Sequence, residues 1–362
     1  MEPTSPRPDA SGEPATRAPE APAATPHPDT TTPVAPEAAD DLFAPDADLG
    51  PVAEAVDALR REVAKLVIGQ EAMIDELIAC LLAGGHALIE GVPGVAKTLT
   101  AKLLAKASGL DYSRVQFTPD LMPADVLGTS VFRPQQGDFE FHPGPVFAQV
   151  VLIDEINRAP AKTQAALFEV MEERQATVDG TRYAMQAPFM VLATQNPVEH
   201  EGTYALPEAQ LDRFLFKVVV GYPSLEQEVE MLERFQGHGG KVDLERVTSV
   251  VDAARLLAAQ EAVRTVRAET PVLRYAAEII GATRQHPALT LGASPRATLA
   301  LVQGAKAVAA MSGRDFATPD DIKAVVAPAL RHRVLLTPER EIEGVRPEGV
   351  LRRIVEDVDV PR

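Results

Sequence analysis

The chain has 362 residues, a formal net charge of −17 and a single cysteine, Cys80. One cysteine excludes a disulfide framework within the chain and suggests a reducing compartment, and no apolar run approaches the ~18 residues of a membrane-spanning helix. With no signal-peptide pattern at residue 1, a soluble cytoplasmic protein of two or three domains is expected, and its acidity argues against sequence-independent nucleic-acid binding, which depends on lysine and arginine.

Residues 1–48 are mostly Pro, Ala, Thr, Asp and Glu, with Leu42 and Phe43 almost the only large apolar side chains. Such a segment buries too little surface to offset its ordering entropy, so it is expected to be disordered. From Val52 the period becomes helical, through Val56, Leu59, Val63 and Leu66. Val67-Ile68-Gly69-Gln70 breaks that helix, and a second runs from Glu71 to Gly84-Gly85. Two readings of the break stand: Ile68 and Gly69 cover a purine base, or they form an ordinary turn between helices.

Ala87 to Ile89 reads as a short buried strand, followed by Gly91-Val92-Pro93-Gly94-Val95-Ala96-Lys97-Thr98-Leu99 and a helical pattern. Strand, glycine-rich turn, Lys-Thr and helix make a phosphate loop, the site of a nucleoside triphosphate such as ATP. Its backbone N–H groups and helix N-terminus face one anion. Lys97 would reach the β- and γ-phosphates, and the Thr98 hydroxyl would ligate Mg²⁺. Ala96 stands where the usual pattern has glycine.

Arg114 to Phe117 is a further short strand, and Val131-Phe132 and Phe139-Glu140-Phe141 flank a hairpin turn at Gln136-Gly137-Asp138. His142 has no second ligand at metal spacing and reads as a loop residue. Val150 to Ile153 is a strand buried on both faces, ending in Asp154-Glu155. Asp154 is placed to hold Mg²⁺ through water, and Glu155, pointing elsewhere, to polarise an attacking water. A helix follows Pro160; Asp179-Gly180 marks a second hairpin. Phe189 to Thr194 is another buried strand, after which Asn196 could orient the water or touch the γ-phosphate. Leu211-Asp212-Arg213-Phe214 precedes the strand Phe216 to Val220. From Ser224 the pattern is helical with no convincing strand, and Ser224, Ser294 and Thr318 read as N-caps.

These motifs in this order resemble an AAA+ ATPase. Gly91 to Thr98, Asp154-Glu-Ile-Asn-Arg-Ala-Pro160, Ala193-Thr-Gln-Asn-Pro197 and Leu211 to Phe214 look like the MoxR family more closely, over about Val52 to Val360. The resemblance accommodates Ala96. It implies an α/β fold: an AAA+ phosphate-loop core with a parallel sheet between helices and hairpin insertions, over 49–222, followed by an all-helical lid over 223–362. It also implies that Asn196 is the first sensor, Arg296 the sensor arginine of the lid, and Arg213 the finger that completes a neighbouring subunit's site, with Arg158 as runner-up. The plainer reading pairs Arg213 with Asp212 or Glu208 and leaves Arg296 on a helix surface.

The expected function is ATP hydrolysis, with ATP and Mg²⁺ as cofactors, in a homo-oligomer, a hexameric ring. The ring would drive chaperone-like maturation, assembly or metal-cofactor insertion of a client or adaptor protein, by resemblance one with a von Willebrand factor type A domain. Two other classes compete. A nucleic-acid motor would need a basic hairpin, and Gln175 to Gln186 offers only Arg182. A nucleotide-dependent scaffold with little turnover would be favoured by an altered Lys97, Glu155 or finger, and all are present.

Overall fold

A computed structural model describes residues 48–197, 204, 206–237 and 243–361. The expected disorder of residues 1–48 therefore lies outside the described residues, apart from Asp48. Two helices open the described chain, α1 (Gly50–Ala64) and α2 (Glu71–Leu82). Strand β1 (Ala87–Gly91) leads into α3 (Lys97–Ala107), then β2 (Tyr112–Gln116), α4 (Pro123–Leu127) and a hairpin of β3 (Gly128–Arg133) and β4 (Asp138–Pro143). Next come β5 (Val150–Asp154), α5 (Ala161–Glu173), the hairpin β6 (Gln175–Val178) and β7 (Thr181–Ala184), β8 (Met190–Gln195), α6 (Glu208–Leu211) and β9 (Phe216–Val220). The remainder contains α7 (Leu225–Gly237), α8 (Ala253–Thr265), α9 (Thr270–Thr283), β10 (Leu289–Leu291), α10 (Pro295–Met311), α11 (Pro319–Leu330), β11 (Leu335–Leu336), α12 (Pro338–Ile342) and α13 (Pro347–Asp357).

The main sheet has the order β2-β5-β8-β1-β9, with every neighbouring pair parallel. Side chains alternate across it, so each strand feeds two cores. Ile89, Val150, Leu152 and Leu192 point into one cluster with the helices α1 to α3, while Leu88, Val151, Ile153 and Val191 point into another with Phe168 of α5 and Phe214. The first cluster continues without a break into the lid, through Leu256, Ile279, Leu301, Val325 and Leu351. Because consecutive sheet neighbours β5, β8 and β1 are far apart in sequence, their carboxyl ends meet where the order reverses, which is where open α/β sheets hold ligands.

The lid is helical as expected, with one departure. Leu289 and Leu291 pair antiparallel with Leu336 and Leu335. Strands this short carry no readable alternation, so the sequence gives no cue to them. Helix α4 lies in what reads as a connecting segment, and His142 sits on β4, its Nε2 3.4 Å from Glu140 Oε2. Thr318 caps α11 in a full capping box, and Ser224 exchanges hydrogen bonds with Gln227. Ser294 precedes α10 at its N-cap, but its hydroxyl donates to Asp212 Oδ2 at 3.2 Å rather than to the helix backbone.

Core and lid are also joined by one buried cation. Arg333, 9 % exposed, holds Asp212 Oδ1 at 2.5 Å and donates to the carbonyls of Asp212, Phe214, Leu215 and Ala329. Removing it strands a carboxylate and several carbonyls away from water. Arg333→Met should therefore cost about 3–5 kcal/mol of stability, read from urea unfolding.

His86, at the start of β1, is fully enclosed. Its Nδ1 accepts from the Val191 N–H at 2.9 Å, so Nε2 carries the hydrogen and donates to Met171 O at 3.1 Å. Burial pushes its pKa down to about 4 from the ordinary 6.5. Between these values the unfolded imidazole takes up a proton that the native one refuses, so this contribution to stability, intact above pH 6.5, is lost as pH falls. From pH 6.5 to 5 the loss is about 2 kcal/mol. Comparison of unfolding free energies at both pH values for the wild type and His86→Gln, which cannot titrate, should show the smaller slope in the variant.

Candidate active site

The loop between β1 and α3 is shaped by three backbone requirements. Gly91 ends β1 so close to β9 that an added Cβ would meet Val220 O at 2.7 Å. Gly94 has a φ of +88°. Ala96 has φ +61° and ψ 18° at the N-cap of α3, a left-handed conformation that an alanine adopts against a cost of roughly 1–2 kcal/mol. The backbone thus shows why glycine is usual there, and that alanine takes the same turn. Lys97 Nζ donates to Gly91 O, folding the side chain back over the loop. Val92 packs into the core below, while Pro93 and Leu99 line the pocket above.

The ends of β5 and β8 supply the facing wall. Asp154 is buried, with Oδ1 accepting from Thr194 Oγ1 at 3.1 Å and Oδ2 from Arg114 Nε at 2.6 Å. Thr98 Oγ1 lies 3.5 Å from both carboxylate oxygens. Glu155 leaves the strand in the left-handed region, φ +58°, and its N–H donates to Thr194 Oγ1 at 3.0 Å. The Glu155 side chain meets Arg158, whose Nε stands 3.1 Å from Oε2. Asn196 is buried at the same strand end. One pocket is lined by Pro93, Gly94, Ala96, Lys97, Thr98, Leu99, Arg114, Gln116, Asp154, Glu155, Thr194 and Asn196. The hydroxyl and carboxylate oxygens of Thr98 and Asp154 are of the kind that suits a hard cation taking its remaining ligands from phosphate and water.

A second, mostly apolar pocket adjoins the first and shares Gly94, Ala96 and Leu99 with it. Val67 and Ile68 line it with Val95, Met231 and Pro223, so the break between α1 and α2 does lie beside the phosphate loop. Gly69 is not part of that lining; it makes the turn, with φ +72°.

Arg213 of the core and Arg296 of the lid are elsewhere. Arg213 Nε lies 2.8 Å from Glu172 Oε2, and Arg296 Nη2 lies 3.0 Å from Glu172 Oε1. Both open onto a separate cleft with Arg174, Asp212, Arg264 and Arg333. Within one chain Arg296, expected as the sensor arginine of the lid, does not line the phosphate pocket with Asn196: the N-terminus of α10 is docked on Asp212 and Glu172. Arg213 pairs with Glu172 rather than with Asp212 or Glu208. Arg158, the alternative finger, faces its own chain's Glu155.

Sequence reasoning missed Arg114, Thr194 and Glu172. Arg114 and Gln116 are polar residues two apart near the end of a parallel strand, hence on one face, and that pattern was legible. Glu172 carried no signal, because only the folded chain brings α5 to Arg213 and Arg296.

Comparison with known proteins agrees with this fold. The ATPase family associated with various cellular activities (AAA) matches residues 86–216, and the AAA lid domain matches residues 281–354. The chain is 45 % identical over 298 residues to the uncharacterized protein YeaC of Bacillus subtilis, covering 82 % of this chain and 92 % of that one. It is 42 % identical over 310 residues to chaperone MoxR1 of Mycobacterium tuberculosis, covering 83 % and 81 %, and 30 % identical over 338 residues to protein MoxR of Methylorubrum extorquens, covering 85 % and 96 %. A solved structure from Cytophaga hutchinsonii, of a proposed ATPase, superposes with a TM-score of 0.78 at 40 % identity over 87 % of this chain and 96 % of that one.

The left-handed Ala96 gives a two-sided prediction. Ala96→Gly should keep nucleotide binding and raise stability by up to about 1 kcal/mol, since the relieved strain exceeds the entropy that glycine loses. Ala96→Val, β-branched at positive φ, should lower both. Thermal melts and nucleotide titration check the pair.

Proposed function

Because the chain belongs to the MoxR family of AAA+ ATPases, we propose that it binds ATP with Mg²⁺ at the phosphate loop and hydrolyses it in a ring of identical subunits. The observation that carries this reading is the convergence of Lys97, Thr98, Asp154, Glu155 and Asn196 at the carboxyl ends of β1, β5 and β8, around one pocket. In this reading the loop N–H groups and Lys97 hold the phosphates, Lys97 exchanging the Gly91 carbonyl for a phosphate oxygen. Thr98 and Asp154 hold Mg²⁺, which when bound neutralises charge on the β- and γ-phosphates. Glu155, turned out of the strand by its left-handed backbone, accepts a proton from the attacking water, and Asn196 orients that water. The apolar pocket at Val67 and Ile68 takes the base.

Arg213 and Arg296 support the ring. A guanidinium that does not line its own chain's phosphate pocket can act on a neighbour's, and here two stand together on one carboxylate. In other phosphate-loop enzymes such an arginine is worth ~10³–10⁵ in rate. The task of the ring, chaperone-like maturation, assembly or metal-cofactor insertion, and a client or adaptor with a von Willebrand factor type A domain, follow from the family resemblance and belong to the same proposal.

ATP hydrolysis measured against protein concentration tests the reading. Specific activity should rise with concentration; Glu155→Gln should abolish turnover while retaining ATP; Arg213→Ala should lower kcat by about a thousandfold or more without weakening ATP binding by isolated subunits. Concentration-independent turnover that Arg213→Ala leaves untouched would overturn the ring.

A further inference from the structure

The phosphate pocket has a cation that the motifs do not account for. Arg114 reaches it from β2, the strand at the edge of the sheet, and contributes to its lining together with Gln116. Its Nε donates to Asp154 Oδ2 at 2.6 Å and its Nη2 to Gln116 Oε1 at 3.2 Å. The two ends of this ion pair differ in setting. The Asp154 side chain is 8 % exposed, whereas that of Arg114 is 51 % exposed. The carboxylate is fixed in the wall, also held by Thr194, while the guanidinium lies at the mouth on a long stem from an edge strand.

Charge gives this arrangement a direction. Lys97 and Arg114 face Asp154 and Glu155 across the pocket, and Arg158 beside Glu155 adds a third cation next to it. Arg114 now neutralises the carboxylate that, with Thr98, offers oxygen ligands to a divalent cation. When such a cation arrives with a triphosphate, cation and guanidinium compete for Asp154. The more exposed partner is the one free to leave, and a phosphate oxygen is the anion that has arrived with the competitor. A guanidinium suits phosphate through paired N–H donors.

We propose that Arg114 is a phosphate-binding residue of this site, exchanging the Asp154 carboxylate for the γ-phosphate when ATP enters with Mg²⁺. This rests on the reading of the pocket as an ATP site. It supplies, within one chain, the γ-phosphate arginine expected of Arg296, which the fold places with Arg213 instead. It also makes Arg114 a discriminator, since ADP brings Mg²⁺ but no γ-phosphate to receive the guanidinium.

The test is nucleotide affinity in the Glu155→Gln background, with fluorescent ATP and ADP titrated with and without Mg²⁺, before and after adding Arg114→Ala or Arg114→Lys. Circular dichroism melts accompany each variant. With Mg²⁺, Arg114→Ala should weaken ATP by about tenfold to a hundredfold and ADP by less than about threefold, and Arg114→Lys should fall between. Without Mg²⁺ the guanidinium has no competitor for Asp154, so Arg114→Ala should change ATP affinity by less than about threefold. Equal weakening of ATP and ADP, or no weakening of either, would overturn the γ-phosphate contact. A loss that persists unchanged without Mg²⁺ would overturn the exchange. Failure of the Glu155→Gln parent itself to bind ATP would instead bring down the ATP-site reading, and the proposal with it.

Discussion

Asp154 is the group whose satisfaction orders the rest of the site. A buried carboxylate without counter-charge or hydrogen bonds costs several kcal/mol, and this one sits at the end of a strand buried along its whole length. Three elements meet its needs: β8 through the Thr194 hydroxyl, β2 through Arg114, and α3 through Thr98 close by. The same Thr194 hydroxyl accepts the Glu155 N–H, so one side chain fixes both the carboxylate in the wall and the backbone turn that sends the next carboxylate elsewhere. Two adjacent acids on a continuing strand would merely point to opposite faces. Here the left-handed Glu155 ends the strand at once, and the two acids serve different places.

The lid depends on a comparable device. Asp212 accepts from Arg333 and from Ser294, and lies 4.0 Å from Arg296. One carboxylate on the approach to β9 therefore anchors the N-terminus of α10 and the turn after α11. Glu172 adds a second anchor at the end of α5. These pairs, and the apolar cluster shared with α1 to α3, attach the lid to the sheet rather than leaving it on a tether. The position of Arg296 follows from this attachment and not from any property of its own helix.

The contrast sets the limit of what the sequence disclosed. The sheet was legible because short apolar runs rich in β-branched residues, such as Val150 to Ile153, read as strands buried on both faces. The phosphate loop, Asp154-Glu155 and Asn196 were legible because their chemistry requires contiguous residues at fixed offsets. Both hairpins were readable from Gly137 and Asp179-Gly180, whose positive φ values match their turn roles. What stayed hidden has a common cause. Arg114, Glu172 and the cleft around Arg213 arise from contacts across 40 to 124 positions. A lone charged residue reads as a solvated face until its partner is placed. Strands β10 and β11 failed for another reason: two or three residues cannot establish a period.

Helix α5 runs from the phosphate pocket to the arginine cleft. It begins after the turn that carries Glu155 and Arg158, and Gln164 ties its first turn to that segment by donating to Ile156 O and Ala159 O. It ends at the Glu172 that holds Arg213 and Arg296. Thirteen residues make a rod of roughly 20 Å, with Leu167 and Phe168 packed tightly into the core below the sheet. A close-packed helix transmits displacement rather than absorbing it. The turn that carries Glu155 and Arg158 and the pairs that hold Arg213 and Arg296 thus stand at opposite ends of one helix. A displacement of α5 along its length would be opposed at its C-terminal end by the Glu172 pairs. These are half-exposed and worth little individually, so they are the bonds that yield first.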